Sequence, residues 1–420
     1  MNLPVRRPVS VVIEQHAEDA VVLHSTRTAL ASAPHVTLEH LQRFDDRLAA
    51  HLDGLLVAGE PGWQAARARL ASLGASEAFV CAVLALRRGQ DRELAAMWAL
   101  ARSEPAALEG VQGALRWVRP GRLEGIVAGW LHSRDPFLLG LALGACSAHG
   151  VDPGDTLPEA LRLPDAGLRR EALRSAGELG RVDLLPMCRA ALQDADDACR
   201  LEAAAAAVLL GHRGDALACL REAAGSRLDR RAAQWVVQAG GPEAAGLLQS
   251  LSAAPDGRRL LVEAIGWSGK ARHLPWLIEL MGDAAFARLA GAAFSAITGA
   301  DLAELDLEGG PLTGGPAADD TEGDDSDIDI DLPWPNREAV ATWYAARQTE
   351  FGRTERLLLG APVSPEACLS ALARGCQLQR HSAALHLALM QPGSGLFDCT
   401  APARRQLERL RERNGAAASR

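Results

Sequence analysis

Nine glycines recur at nearly even intervals through more than half of the chain, with gaps of 29 to 32 residues. Most of them close an apolar run with helical spacing, where a chain needs a residue that tolerates positive φ. A period near thirty with two helical runs per unit is typical of an α-solenoid, because each unit must bury its apolar face against its neighbours. The nine are Gly59, Gly89, Gly121, Gly150, Gly180, Gly211, Gly240, Gly269 and Gly299.

The composition agrees with an all-helical chain. Aromatic residues make up 4% of it and tyrosine occurs once, whereas alanine and leucine are abundant. Sheets need more β-branched and aromatic residues than this. We therefore predict an all-α fold with about eight stacked helix pairs.

A set of five arginines, the arginine ladder, keeps the same register. Each arginine precedes its closing glycine by 10 or 11 residues and follows an acidic turn residue. This pattern resembles the HEAT repeat family, in which a turn Asp and an Arg early in the second helix pair along the stack. The resemblance implies a structural row of hydrogen bonds, and a basic stripe for a partner is the alternative. The ladder is Arg170, Arg200, Arg230, Arg259 and Arg288, and the acids are Asp165, Asp197, Asp229, Asp256 and Asp283.

We predict four segments along the chain. Residues 1–58 are a helical N-terminal cap and 59–300 are the HEAT-like repeat array. Residues 301–332 are a flexible acidic loop or linker, because Gly, Pro and Asp cannot bury enough apolar surface to become ordered. Residues 333–420 are a helical C-terminal cap, since a solenoid must hide its open ends.

Charge is concentrated in the acidic segment. The net charge is −9, and residues 301–331 hold twelve carboxylates with no basic residue among them. Without these twelve the rest of the chain carries about +3, whereas a surface that follows phosphates usually makes its domain clearly basic. The sequence therefore favours a protein partner over nucleic acid.

Aspartates occupy every second position at the end of the acidic segment, and this pattern has two interpretations. Asp325, Asp327, Asp329 and Asp331 are predicted to contact a partner. A calcium loop is the alternative, but its sixth position is Ile330 instead of Gly and its twelfth is Asn336 instead of Glu. Whether the segment binds a cation stays open.

No catalytic constellation stands out in the sequence. A Gly-rich phosphate loop, a G-x-S-x-G elbow and an H-E-x-x-H motif are all missing. Five histidines crowd the first 51 residues, but histidines on helix surfaces are common, so we predict no metal site and no cofactor. The five are His16, His24, His35, His40 and His51.

The eight cysteines form no C-x-x-C pair, and no stretch has the length of a membrane span or a secretory leader. We expect a reduced cytoplasmic protein with no membrane span.

Nine tryptophans stand out in a chain poor in Phe and Tyr. Each is expected to fill gaps between repeats more often than to anchor an interface, although Trp is a frequent interface anchor. Trp334, between two prolines beside the acidic segment, is the best interface candidate. Trp235 is predicted with it as a partner contact.

Stretches near both ends of the chain resemble a family that is narrower than HEAT repeat proteins in general. The stretches VIEQHAEDA, RFDDRLAAHLDGLLVAGEPGW and LPWPNREAVATWYAARQTEFGRTERLLLG are similar to an uncharacterised bacterial family of HEAT-like proteins encoded among type VI secretion genes. The resemblance implies a genomic neighbourhood of spike, PAAR-like tip and effector genes, and it carries over no functional residue.

We expect a non-enzymatic scaffold that acts as an adaptor or chaperone for a secreted effector, PAAR-like or spike protein. Two alternatives remain: an immunity protein that binds a cognate toxin, and a HEAT-like nucleic-acid-binding or glycosylase-type enzyme.

Overall fold

A computed structural model describes residues 9–312, 329–352 and 356–418. Up to the acidic segment the helices are α1 (Ser10–Ser32), α2 (Leu38–Ala58), α3 (Glu60–Arg69), α4 (Ala75–Arg88), α5 (Asp91–Ser103), α6 (Pro105–Trp117), α7 (Pro120–Leu131), α8 (Pro136–His149), α9 (Thr156–Ala160), α10 (Ala166–Leu179), α11 (Leu185–Ala190), α12 (Asp197–Leu209), α13 (Gly214–Ser226), α14 (Arg230–Ala239), α15 (Gly241–Ala253), α16 (Arg258–Ser268), α17 (Leu274–Leu280) and α18 (Ala287–Thr298). After it come α19 (Arg337–Phe351), β1 (Leu357–Leu358), β2 (Ala361–Pro362), α20 (Pro365–Arg374), α21 (Gln377–Met390) and α22 (Ala403–Ala418).

Eight helix pairs follow one another from α3 and α4 to α17 and α18. The second helices contact each other in succession, α4 to α6 to α8 and again α12 to α14 to α16 to α18. This arrangement confirms the predicted all-α, HEAT-like solenoid. No described helix combines the length and the hydropathy that crossing a membrane requires.

Eight of the nine evenly spaced glycines adopt positive φ, between 67° and 97°. Gly121 is the exception, because it lies inside α7 directly after Pro120. Proline favours the first turn of a helix and disfavours helical backbone in the residue before it. Arg119, the residue before Pro120, is accordingly extended, and α6 ends at Trp117 without a glycine.

Turn aspartates start several second helices. The side chains of Asp196 and Asp229 accept hydrogen bonds from the backbone N–H groups of Cys199 and Ala232, at 2.8 and 2.9 Å. These are N-cap bonds, which satisfy donors that the helix itself leaves without partners. The polar turn predicted between the two helices of a repeat thus fixes where the second helix begins.

The chain divides into two compact units within α10. The first comprises the chain up to Ser32, Val36–Ser175 and Thr400–Glu412, and the second comprises Ala33–His35, Ala176–Cys399 and the residues from Arg413. Residues near the C-terminus thus belong to both units. The four-segment division drawn from the sequence stays a prediction.

The residues after the acidic segment do more than extend the array in the second unit. Helix α19 contacts α17, and its Val340 and Phe351 join the core cluster of α17 and α18. Helix α21 instead contacts α12 and α14. The β1–β2 hairpin, which is antiparallel with Leu358 opposite Ala361, contacts α18.

Candidate partner-binding surface

In the second unit, ion pairs link the first turn of α14 to the middle of each neighbouring second helix. The Arg230 Nε of α14 lies 3.0 Å from both carboxylate oxygens of Glu263 in α16. The next residue, Arg231, reaches back to Glu202 of α12 at 2.7 Å. Helix α14 is thereby linked to both of its neighbours.

The guanidinium groups at this edge also lie over aromatic rings. Arg230 is 5.0 Å from the ring centre of Trp267, and Arg231 is 5.4 Å from that of Trp235. Arg258 lies 4.7 Å from the ring centre of Phe286. Such cation–π contacts hold the planar cation flat against the ring while its edges stay available for hydrogen bonds.

Arg259, a member of the arginine ladder, binds the last part of the acidic segment. Its two terminal nitrogens donate to the two carboxylate oxygens of Asp329 at 2.9 and 2.6 Å. Asp329 is 6% exposed, and its hydrogen bonds raise the pKa of Arg259. A bidentate pair whose carboxylate is buried, while the Arg259 side chain stays 36% exposed, is a specific contact.

The described ends of the acidic segment are held side by side. The backbone N–H of Asn336 donates to Leu307 at 2.7 Å, and the N–H of Gly309 donates to Trp334 at 2.8 Å. The Trp334 ring lies under the guanidinium of Arg288 at 4.8 Å and is half-buried. The described residues that precede and follow residues 313–328 are therefore paired with each other beside Arg288 of the arginine ladder.

The residues predicted to contact a partner differ in how exposed the structure shows them to be. Trp235 is 5% exposed, so its ring belongs to the buried core. Asp331 is exposed and lies 3.8 Å from His35. Asp325 and Asp327 lie outside the described residues. As partner contacts, all of them and Trp334 stay predictions.

The remaining ladder residues are also placed differently from one another. Arg170 is exposed. Arg200 pairs with Asp197 of its own turn, which in turn accepts a 2.6 Å hydrogen bond from Arg227. The partners of Arg230 and Arg259, by contrast, are a glutamate of the next repeat and the acidic segment.

The opposite ends of these second helices are covered by the chain itself. Arg356 donates to the backbone oxygens of Val237 and Gln238 at the end of α14 and of Ser268 at the end of α16. The last carbonyls of a helix have no partner within the helix and carry its partial negative charge. A guanidinium is well suited to bind them.

At the ends of other second helices in the second unit, backbone N–H groups from later in the chain also donate to helix carbonyls. Leu357 N–H donates to Gly269 at 2.8 Å and Leu359 N–H to Ala296 at 3.0 Å. The further bonds are Gly360 N–H to Ile297 and Leu396 N–H to Glu178. In the opposite direction, the side-chain amide of Gln238 near the end of α14 donates to the backbone oxygen of Ser382 in α21. The C-terminal ends of α10, α14, α16 and α18 are all engaged in this way.

The first unit uses arginines of α22 for the same purpose. Arg404 donates to the backbone oxygen of Trp117, and Arg405 donates to those of Arg116 and Ala148. These carbonyls lie at the ends of α6 and α8. The described part of this basic C-terminal stretch, to residue 418, is helical and its first turn is largely buried.

A signal for this covering was present in the sequence and we missed it. Residues 203–209 of α12 read AAAAAVL and every one of them is buried. A helix with one buried stripe would not bury seven consecutive residues, so a run that is apolar all round indicates packing on several sides. In the second unit α21 contacts α12 in addition to its repeat neighbours.

The N-terminal histidines form contacts among helices. The Nδ1 atoms of His16 and His51 lie 3.1 Å apart, with Asp19 at 3.6 Å from His51. His24 stacks on Phe79 with 3.7 Å between ring centres. Within the described residues no group of three or more His, Cys, Asp or Glu side chains is arranged to hold a metal ion.

All eight cysteines are free thiols, and six of them are buried. Burial raises the pKa of Cys81 and of Cys188 to about 12. Because the thiolate is the reactive form, these two act as small apolar core residues.

The fold and this surface define a class: a helical repeat scaffold of the kind that commonly binds proteins. A family model described as HEAT repeats matches residues 154–240, which span α10, α12 and α14 with their partner helices. No curated protein and no solved structure matches the chain.

Proposed function

We propose that this chain is a non-enzymatic, cytoplasmic scaffold that binds a protein through the ladder surface of its second unit. By ladder surface we mean Arg230, Arg231, Arg258, Arg259 and Arg288 with the rings and carboxylates that hold them. Its partner is a type VI secretion effector or a spike-tip protein such as a PAAR-like protein, for which the chain acts as adaptor or chaperone. The bacterial secretion context rests on the resemblance of the two chain ends.

One observation carries the choice of surface: the two edges of the second helices differ. At the C-terminal edge of the second unit the chain's own residues occupy the carbonyl groups. At the N-terminal edge the side chains of Arg230, Arg231 and Arg258 are 59%, 47% and 51% exposed while aromatic rings fix their planes. Arginine held in this way is among the residues that contribute most to protein interfaces.

The Arg259–Asp329 pair supports a carboxylate-bearing partner. It places a carboxylate of the chain on one guanidinium of the ladder surface, which is the contact that an acidic side chain of a partner would make on its neighbours. In this proposal the acidic segment, anchored at Asp329, competes with the partner for the ladder surface. Binding should then depend on salt.

The test is co-purification of the tagged full-length chain with each effector and spike-tip protein encoded beside it, followed by titration. We expect one of them to form a stoichiometric complex that Arg230→Glu combined with Arg258→Glu weakens about a hundredfold. Arg189→Glu, an exposed arginine on α11 outside the ladder surface, is the matched control and should bind normally. Equal loss in both variants would contradict the proposed surface.

The same experiment separates the alternatives. A partner that is a toxin, and that the chain neutralises in the producing cell without being needed for its secretion, would make the chain an immunity protein. Turnover of a nucleic-acid substrate by the purified chain would overturn the scaffold proposal in favour of a glycosylase-type enzyme.

A further inference from the structure

A pocket of about 640 Å³ lies in the second unit at the end of α14. Its walls come from the Gly240–Gly241 turn, from residues 270–272 before α17, from α19 and from Arg356. This volume is within the range of small-molecule sites. The pocket is separate from the ladder surface residues, none of which lines it.

The charged side chains that line the pocket are all cationic. They are Lys270, Arg272 and Arg356, and the described lining residues include no carboxylate. The nearby Glu243 at the start of α15 is turned to Arg221, at 2.5 Å. Three positive charges around one cavity favour an anion inside it.

The neighbouring His273 contacts Arg272. Burial is the main cause that lowers its pKa to about 4, and the charges of Arg272 and Lys270 lower it further. At neutral pH its imidazole is uncharged, so it can accept from Arg272, whose Nε lies 3.3 Å from its Nε2. This contact helps to orient Arg272 at the pocket wall.

The start of helix α15 lies at the pocket wall, where Gly240 and Gly241 line the cavity. Helix α15 begins after Gly240 without a side-chain cap. Gly241 has a φ of 76°, and a Cβ built there would meet nothing within 4 Å. The first N–H groups of a helix with open space before them complement an oxyanion.

The pocket also holds two residues that are unique in this chain. Lys270 is the only lysine, and Tyr344 is the only tyrosine. An ammonium group binds phosphate as a compact, rotatable charge, whereas a guanidinium binds as a planar fork. Gln348, one turn after Tyr344 on α19, adds an amide to the same wall.

We propose that this pocket binds a ligand with two linked oxyanion groups, held by Lys270 and Arg272 with Arg356 behind them. The site goes beyond the proposed scaffold function and does not depend on it. Phosphates of a small molecule and carboxylates of an acidic peptide share this chemistry, and pyrophosphate is the simplest probe for the first source.

The test is calorimetric titration of the full-length chain with pyrophosphate and, separately, with a hexa-aspartate peptide. We expect pyrophosphate to bind, and Lys270→Gln combined with Arg272→Gln to weaken it at least about tenfold. Arg189→Gln, which removes an exposed charge outside the pocket, is the matched control and should change the affinity less than about twofold. Arg356 is left intact because it holds the ends of α14 and α16.

The hexa-aspartate peptide tests whether the ligand's oxyanions are carboxylates instead of phosphates. Peptide binding that the double variant weakens while pyrophosphate fails to bind would still support the site, with carboxylates as its ligand. Absence of binding by both probes, or equal weakening by Arg189→Gln, would overturn the proposal. Unchanged partner binding in the double variant is expected, so failure of this site would leave the scaffold proposal standing.

Discussion

At the scale of single residues, two glycines with the same backbone show what the tertiary structure adds. Gly89 and Gly269 both end a second helix with φ of 67° in the left-handed region. A Cβ at Gly89 would meet nothing within 4 Å, whereas at Gly269 it would fall 2.3 Å from the backbone oxygen of Leu357. The two positions therefore separate the conformational requirement for glycine from the steric one.

We expect Gly89→Ala to lower the free energy of unfolding by about 1 kcal/mol, which is the effect of positive φ alone. Gly269→Ala should lose roughly 1–3 kcal/mol more, because β1 has to move away from α16. Hydrogen exchange should show the added loss at residues 266–269 and at Leu357. Equal effects of the two substitutions would contradict the close approach of β1.

The buried ion pair of the first unit gives a second residue-scale prediction. Arg27 is 9% exposed, and its Nε donates to Asp45 at 2.8 Å while its other nitrogens donate to Thr400 and Ala401. The second oxygen of Asp45 accepts from the N–H of Ala403 at 2.6 Å. Removing one charge would leave the other buried without its counter-ion.

Asp45→Asn should therefore lower the free energy of unfolding by about 3 kcal/mol. Glu39→Gln is the matched control in the same helix, because Glu39 pairs with Arg43 in full contact with water and should change stability by less than about 0.5 kcal/mol. Denaturant unfolding of both variants measures the difference. A small effect of Asp45→Asn would mean that the pair is solvated in solution.

His24 predicts the direction of a pH effect. Burial is the main cause that lowers its pKa from 6.5 to about 4, and Arg27 adds to the shift. The unfolded chain binds the proton first, so the contribution of His24 is complete above pH 6.5 and is lost as the pH falls towards 4, by about 3 kcal/mol. The slope of stability against pH should be smaller in His24→Gln, and NMR titration should show the imidazole of His24 still neutral at pH 5.5.

At the scale of elements, the two ends of the second helices obtain their hydrogen-bond partners from different parts of the chain. The N-termini of α8, α10, α12 and α14 are capped locally by turn aspartates. C-terminal carbonyls of second helices are instead bound by residues far along the chain, such as Arg356, which is 118 residues from Gln238. The N-terminal caps follow from the known preference for aspartate at this position. The distant Arg356 provides the positive charge that a helix C-terminus favours.

Arg356→Gln should loosen the ends of α14 and α16 together. We expect faster hydrogen exchange at residues 236–240 and 266–269, with about 2 kcal/mol lost from local stability as charge-assisted bonds disappear. Exchange at the end of α12 should stay unchanged. Arg374→Gln is the control, because this exposed arginine of α20 bonds to Ser370 in its own helix.

At the scale of the whole molecule, the acidic segment sets the charge balance. Deleting residues 313–328 keeps Asp329 on Arg259 and the pairing of Leu307 with Asn336. The free energy of unfolding should therefore change by less than about 1 kcal/mol. Partner affinity at low salt should rise, because removing these carboxylates reduces competition for the ladder surface.

A salt series with the deletion and with Asp329→Asn would measure this effect. Both variants should bind the partner with an altered salt dependence. Identical salt dependence in the wild type and both variants would reduce the segment to a passive connection.

The sequence alone determined the repeat period, the all-α class and the glycines that end most of the second helices. These features depend on short-range physics: helical spacing of apolar residues, positive φ at glycine and capping by aspartate. Even Gly121, the exception among the nine glycines, has a local cause in the adjoining proline.

Only the tertiary structure decided which edge of the second helices is covered and which stays exposed. The contacts of Arg356 with α14 and of Asp329 with Arg259 join residues 70 to 119 positions apart. No periodic pattern encodes such a pairing, because its free energy depends on charges and carbonyls that meet only after the chain has folded. For the same reason the cationic pocket around Lys270 was invisible in the sequence: its three charges come from two separate stretches of the chain.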